Sequence, residues 1–433
     1  MSAGGMPVST LDRCDSAGVG GGPPAAGRPG RPLRVLTFTS LFPSDASPRH
    51  GIFVETRLAH LVKDCTVDAR VIAPVPWFPF RSAAFGAYAR FAATPRQATR
   101  TNGLAVSYPR YLMLPKLGVA FQPDSMAHAA MPDLARLQDS GWNPDLIDAH
   151  YLYPDGVTAA ILSKRLQVPF VMTARGTDVN VLAHLRGPGR RIIEATRQAA
   201  AVVTVSRQLK DALVSLGADP TKITVLRNGV DLEVFGLEDR AAARARVGLP
   251  AEGGLAACVG NLVPEKGQAL AIEALRHLEG LRLVIVGDGP LRRELVALAR
   301  RLGVEARVSF LPAMPQRELR HLYAGADVLL LTSTREGWPN VVLESLACGT
   351  PVVGFDVGAA GEMISDDFVG RIVATRDPAA LASAIRDMLA AAAQRERIRL
   401  HAAKFDWTSV SRGQWDVFMR ATSGEPALAD AAH

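Results

Sequence analysis

The chain has 433 residues, 48% hydrophobic and 21% charged, too long for one compact core and too apolar to stay unfolded, so two globular domains of ordinary size are expected. Apolar runs such as Val328-Leu329-Leu330-Leu331 are too short to span a bilayer, and the N-terminus lacks the basic and apolar regions of a secretory signal. Four scattered cysteines without a C-x-x-C pair, and a net charge of +7 without five consecutive basic residues, set aside disulfide staples, zinc sites and a nucleic-acid partner.

A soluble, cytoplasmic protein is therefore expected. Only seven of the 49 basic residues are Lys, so the surplus reads either as an Arg-rich composition or as attraction to phosphates or an anionic membrane surface.

Residues 1–31 are Gly, Pro, Ala and Ser with almost no apolar periodicity, and are expected to be a disordered N-terminal segment. Order begins with a strand at Leu33 to Thr39, a helix at Val54 to Val62 and a strand at Thr66 to Ile72. Further strands are predicted at Leu146 to Ala149, Pro169 to Thr173 and Ala201 to Val205, separated by helices such as Val157 to Leu166 and Ile192 to Ala199. The segment Trp77 to Phe91 concentrates aromatics with interleaved Arg; its rings either pack under a loop or form an interfacial anchor.

A second series predicts strands at Leu255 to Val259, Leu281 to Val286, Arg307 to Leu311, Val328 to Leu331 and Pro351 to Val353. Helices at Gln268 to Leu278, Pro290 to Leu302 and Pro315 to Tyr323 lie between them. Strands alternating with helices imply parallel sheets covered on both faces. The reading is two tandem α/β/α domains, 32–230 and 231–405, joined at the Asn228-Gly229-Val230-Asp231 turn, with 406–433 as a C-terminal helix and tail.

Chemistry concentrates at Thr332 to Pro351, where a buried strand gives way to a Gly-containing loop and a helix that starts near Pro339. Such a turn presents free backbone N–H groups at a positive helix end, an anion site at the carboxyl edge of a parallel sheet. Glu336 precedes the helix and Glu344 lies within it, so the two carboxylates stand apart and suit vicinal hydroxyls of a sugar or ribose. On its own this pattern describes two solvated glutamates near a helix start better than a ligand site, since the dipole favours them there.

The E-x7-E spacing within EGWPNVVLESLACGTPVV resembles the retaining glycosyltransferases of family 4, of bacterial polysaccharide type, which have the GT-B fold of two Rossmann-like domains facing each other across a cleft. The resemblance runs from about residue 33 to 420 and includes Phe38 to Pro43 with His50 to Val54, Asp148 to Gly156, Thr173 to Asn180, Val259 to Gly267 and Val286 to Pro290. It implies that a loop bearing Gly51 approaches the donor diphosphate and that Glu336 contacts donor-sugar hydroxyls. The stretch Gly337, Trp338, Pro339, Asn340 and Val341 would cradle the donor sugar and phosphate through its backbone N–H groups, and Glu344 would accept from the ribose. It further implies that Lys266 binds the diphosphate, that His150 lies near the donor sugar, and that the last helix, around Ser409 to Met419, returns to the first domain.

Two departures stand out. Asn261 occupies a donor-binding position where many members carry Arg, and Arg175 stands where many carry His. Arg175, with Asp178, becomes a candidate for holding an acceptor or phosphate. The implied reaction moves a sugar from a UDP- or GDP-linked donor to a hydroxyl acceptor with retention, by same-face attack, without cofactor or metal. A lipid-linked glycan at the cytoplasmic membrane face is the acceptor reading, with peripheral contact to an anionic membrane. A soluble metabolite acceptor and a non-catalytic nucleotide-sugar-binding protein are the alternatives. Competing motifs fit worse: the dinucleotide fingerprint at Gly287-Asp288-Gly289 meets Arg292 where it needs Gly.

Overall fold

The computed structural model describes residues 31–113, 119–392 and 394–425. Apart from Arg31, the expected disordered segment lies outside these residues, as does the end of the C-terminal tail (426–433).

Eight strands form the first sheet, in the order Ile223–Val225, Ala201–Thr204, Phe170–Ala174, Leu146–His150, Leu33–Phe38, Val67–Ile72, Ala105–Ser107, Gln97–Thr99. Every neighbouring pair is parallel except the last. The central strands are buried along their length, which is why they read as unbroken apolar runs instead of alternating ones. Six parallel strands form the second sheet: Val308–Leu311, Leu281–Val286, Gly254–Val259, Val328–Leu331, Val352–Phe355, Gly370–Val373.

Most helix boundaries differ from the sequence reading by a residue or two, and two differ by more for a physical reason. The helix expected from Ile192 begins at Arg186, because its first turn accommodates Pro188 without losing a ladder bond. The helix expected over Gln268 to Leu278 ends at Ala274 and tightens into a 3-10 turn, Leu275–His277.

The helix Trp407–Ser423 belongs spatially to the first sheet. Its N-cap Asp406 accepts the Ser409 N–H at 2.8 Å, and Val417 and Phe418 are buried in one core cluster with Val35, Leu58 and Leu61. The chain therefore crosses between the sheets twice. The crossings lie side by side, with Val230 bridged to Asp406 and its N–H donating to the Phe405 carbonyl at 2.9 Å. Among the described residues no helix is long and apolar enough to cross a membrane.

Candidate active site

The carboxyl ends of the two sheets face each other around a cavity of about 470 Å³, lined by Phe53, Arg175 and Asn228 from one side and Lys266, Glu336 and Val341 from the other. That volume is ordinary for a small-molecule site.

The second sheet contributes two loops that brace one another. After Gly254–Val259 the chain turns through Pro264–Lys266, and after Val328–Leu331 it runs to the helix Asn340–Ala347. The Thr332 hydroxyl donates to the Lys266 carbonyl at 2.9 Å and the Thr334 N–H to the Glu265 carbonyl at 2.8 Å. Arg376 holds the second loop from behind, donating to the carbonyls of Thr332 and Ser333 at 2.5 and 2.7 Å with its guanidinium over Phe355. Lys266 Nζ thereby meets Glu336 Oε1 at 2.5 Å. Gly337, Trp338, Pro339, Asn340 and Val341 all line the cavity, so the start of the helix faces it.

Glu344 sits elsewhere. Its carboxylate is buried behind the helix, accepting from Tyr323 OH at 2.9 Å and Gln316 Nε2 at 3.1 Å, and burial raises its pKa. Asn261 is exposed at the start of the Lys266 loop, its carbonyl accepting from Gln268 Nε2 at 2.9 Å. Gly51 does not line the cavity. It caps the helix Ile52–Asp64 with φ 69°, where an added Cβ would lie 2.2 Å from the Leu41 carbonyl, and this packing places Phe53 at the cavity wall.

On the first sheet, Asp148 and His150 lie two apart on one strand and share a face. His150, 1% exposed, is covered by Arg175: its Nδ1 lies 2.5 Å from Arg175 Nη2 and its Nε2 3.0 Å from Asp148 Oδ2. Burial pushes His150 down to about 4, against the opposing pull of Asp148. The imidazole is thus neutral, and its neighbours select the tautomer that donates from Nε2 to Asp148 and accepts at Nδ1 from Arg175. Arg175 is the group that reaches the cavity. Its Nη1 donates to Asn228 Oδ1 at 3.1 Å, its face lies 5.2 Å from the Phe53 ring centre, and its Nε is buried without a hydrogen-bond partner. Burial, then Arg57, push its pKa down to about 9.

Asp178 is the clamp beneath Arg175. Fully buried, its carboxylate accepts the N–H groups of Leu152, Arg175, Gly176 and Val179 at 2.8 to 3.1 Å. Its oxygens are occupied by backbone and do not face the cavity.

Three participants had no sequence signal as site residues. Asn228, read only as part of a turn, donates from Nδ2 to Asn340 Oδ1 at 3.2 Å and so ties the two halves together. Arg57 is buried and donates to Gln414 Oε1 at 2.6 Å, and Gln414 Nε2 donates to Asp148 Oδ2 at 3.2 Å. The returning helix therefore buttresses the Asp148–His150–Arg175 series. The halves also meet at Arg49–Asp288, 2.7 Å, and where Gly337 abuts the Arg175 carbonyl.

Two Rossmann-like sheets with a cation-bearing cleft between their carboxyl edges define a GT-B glycosyltransferase. The chain belongs to the glycosyltransferase family 4 group, with residues 88–234 matching the family 4 domain and residues 239–405 the group 1 glycosyl transferase domain. It is 32% identical over 339 residues to the putative teichuronic acid biosynthesis glycosyltransferase TuaC of Bacillus subtilis, covering 76% of this chain and 83% of that protein. It is 36% identical over 318 residues to a D-inositol 3-phosphate glycosyltransferase of Acidothermus cellulolyticus, covering 68% and 70%. Among solved structures it resembles sucrose-phosphate synthase of Thermosynechococcus elongatus (TM-score 0.74, 18% identity, 91% of this chain and 100% of that). It also resembles Anabaena HepE in complex with UDP-glucose (TM-score 0.66, 22% identity, 89% and 98%).

Proposed function

We propose that this glycosyltransferase moves a hexosyl group from a UDP- or GDP-linked sugar to a hydroxyl of a lipid-linked glycan, with retention of configuration and at the cytoplasmic membrane face. The observation that carries the reading is the Lys266–Glu336 pair at the start of the Asn340–Ala347 helix, facing Arg175 across one cavity. In this reading Glu336 orients donor hydroxyls, while Lys266 and the helix start hold the diphosphate and stabilise charge growing on the leaving group. Attack comes from the face the phosphate leaves, and no step is routed through a metal. His150 acts through Arg175, which it positions. The likeness to a teichuronic acid enzyme supports a polymeric acceptor, and the UDP-glucose complex of a protein of the same fold supports the donor class.

A soluble acceptor is the second reading, favoured by the 36% identity to a D-inositol 3-phosphate enzyme and by Arg175, a cation suited to an acceptor phosphate. The test is release of UDP or GDP from a panel of nucleotide sugars, with a membrane lipid extract or inositol phosphate as acceptor. Release with one donor and lipid extract, lost in Glu336→Ala, is expected. Release only with the soluble acceptor selects the second reading, and nucleotide binding without release overturns both in favour of a non-catalytic binding protein.

A further inference from the structure

Among the described residues, most rings of the aromatic–Arg segment stay exposed. Among the described residues thirteen large hydrophobic side chains are exposed, and eight of them fall between residues 77 and 121. They include Trp77 (52%), Phe80, Phe85, Tyr88, Leu112 and Phe121 (72%). A scattered surface Leu needs no explanation, but this concentration does.

The backbone makes these residues one surface. Val75–Pro76 pairs with Arg110–Tyr111, and the Trp77 N–H donates to the Tyr111 carbonyl at 2.7 Å, which sets Trp77 beside Leu112. Leu112 is in turn tied through both backbone groups to the Ser125 hydroxyl, at 3.1 and 3.0 Å, next to Phe121. The rings pack chiefly on each other: Phe78 meets Phe85 and Tyr88 with centroids 5.5 Å apart, and Phe80 stacks on Phe85 at 4.9 Å.

Charge gives the partner. Residues 69–123 contain no Asp or Glu and seven Lys or Arg, of which Arg70 is paired with Asp68 at 2.7 Å and Arg100 with Glu55 at 2.8 Å. Arg81, Arg90 and Arg96 are exposed there. Arg110, behind them, has its pKa lowered by burial and then by Arg96 and Arg81 close by. Two acids that follow the stretch are engaged outside it, Asp124 with Arg191 at 2.9 Å and Asp133 with Arg136. Exposed rings with arginines among them fit a headgroup layer, where aromatics sit at the interface and guanidinium groups meet lipid phosphates.

We propose that the surface formed by Trp77, Phe80, Phe85, Tyr88, Leu112 and Phe121, with Arg81, Arg90 and Arg96, docks this chain on an anionic bilayer. Trp77 follows the strand Val67–Ile72 and Arg110 follows Ala105–Ser107, both at their carboxyl ends, the edge at which His150 and Arg175 end their own strands. A lipid-linked acceptor in the bilayer is thereby brought to the edge that carries the cavity. In purpose the inference rests on the lipid-linked acceptor proposed above; its test needs no turnover.

The test is co-sedimentation of the full chain with phosphatidylglycerol–phosphatidylcholine vesicles, phosphatidylcholine vesicles serving as the neutral arm. Binding to the anionic vesicles alone, weakened by salt, is expected. Arg81→Ala, Arg90→Ala and Arg96→Ala together should weaken it by about a hundredfold, and Trp77→Ser with Phe80→Ser should weaken it while leaving its salt dependence in place. Since all these side chains are exposed, unchanged nucleoside diphosphate binding verifies that the variants fold. Equal binding to both vesicle types, or binding to neither, overturns the proposal, as does a concentration-dependent dimer that the Trp77 and Phe80 changes abolish. Vesicle binding without sugar transfer overturns the transferase reading alone, and transfer without vesicle binding overturns the docking surface alone.

Discussion

Gly337→Ala tests whether the contact between the halves sets the geometry for reaction. A Cβ on Gly337 would lie 2.1 Å from the Arg175 carbonyl oxygen, and contacts under 3.0 Å require something to move. The cleft must therefore part locally by the difference, at least about 0.9 Å, the scale at which misplaced reacting groups lose on the order of a hundredfold in rate. The glycine's φ lies outside the left-handed range, so the substitution adds no backbone strain, and parting the halves leaves both cores packed. Nucleoside diphosphate release should show kcat/KM reduced by about a hundredfold, with Tm unchanged within about 2 °C. Wild-type kcat/KM would refute the reasoning. A large fall in Tm would show that the clash is relieved inside a core.

Lys266→Ala should lower kcat and kcat/KM together by about a hundredfold to a thousandfold in steady-state assays, because the charge it meets grows in the transition state; a rise in KM alone counts against that role. His150, neutral down to about pH 4, contributes no ionisation near its ordinary value, so His150→Gln should change the height of the pH–rate profile but not its shape. Asp155 is buried, accepts from the Ser40 N–H and hydroxyl at 2.8 and 3.0 Å, and is pushed by burial up to about 8. The native chain keeps that proton while the unfolded chain releases it near 3.8. This contribution to stability is therefore full below the ordinary carboxylate range and is lost as pH rises toward 8. Asp155→Asn should shrink the fall in unfolding free energy between about pH 5 and pH 8 by at least about 1 kcal/mol, read from denaturant curves.

The parallel sheets were legible because strands buried on both faces leave unbroken apolar runs: Leu281–Val286 and Val328–Leu331 were read to the residue. The edge strand Gln97–Thr99 and its neighbour Ala105–Ser107 were not, being short and partly exposed. At the site, the loop from Glu336 to Val341 was visible because a strand, a glycine and a helix-starting proline are adjacent in sequence. The Arg57–Gln414 contact, 357 residues apart, has no local signature. Nor does the order in which Arg175 covers His150: a motif names the residue types, and packing decides which side chain stands in front.

The paired crossings at Val230 and Asp406 act mechanically as one pivot. Two connectors fastened at the same point resist sliding of the halves, since a shear would stretch both, and leave rotation about that point as the soft motion. Trp338 beside Phe405, with ring centres 6.1 Å apart, joins the cleft wall to the pivot itself. Stiffening the pivot is thus a way to slow opening and closing without touching a single group in the cavity.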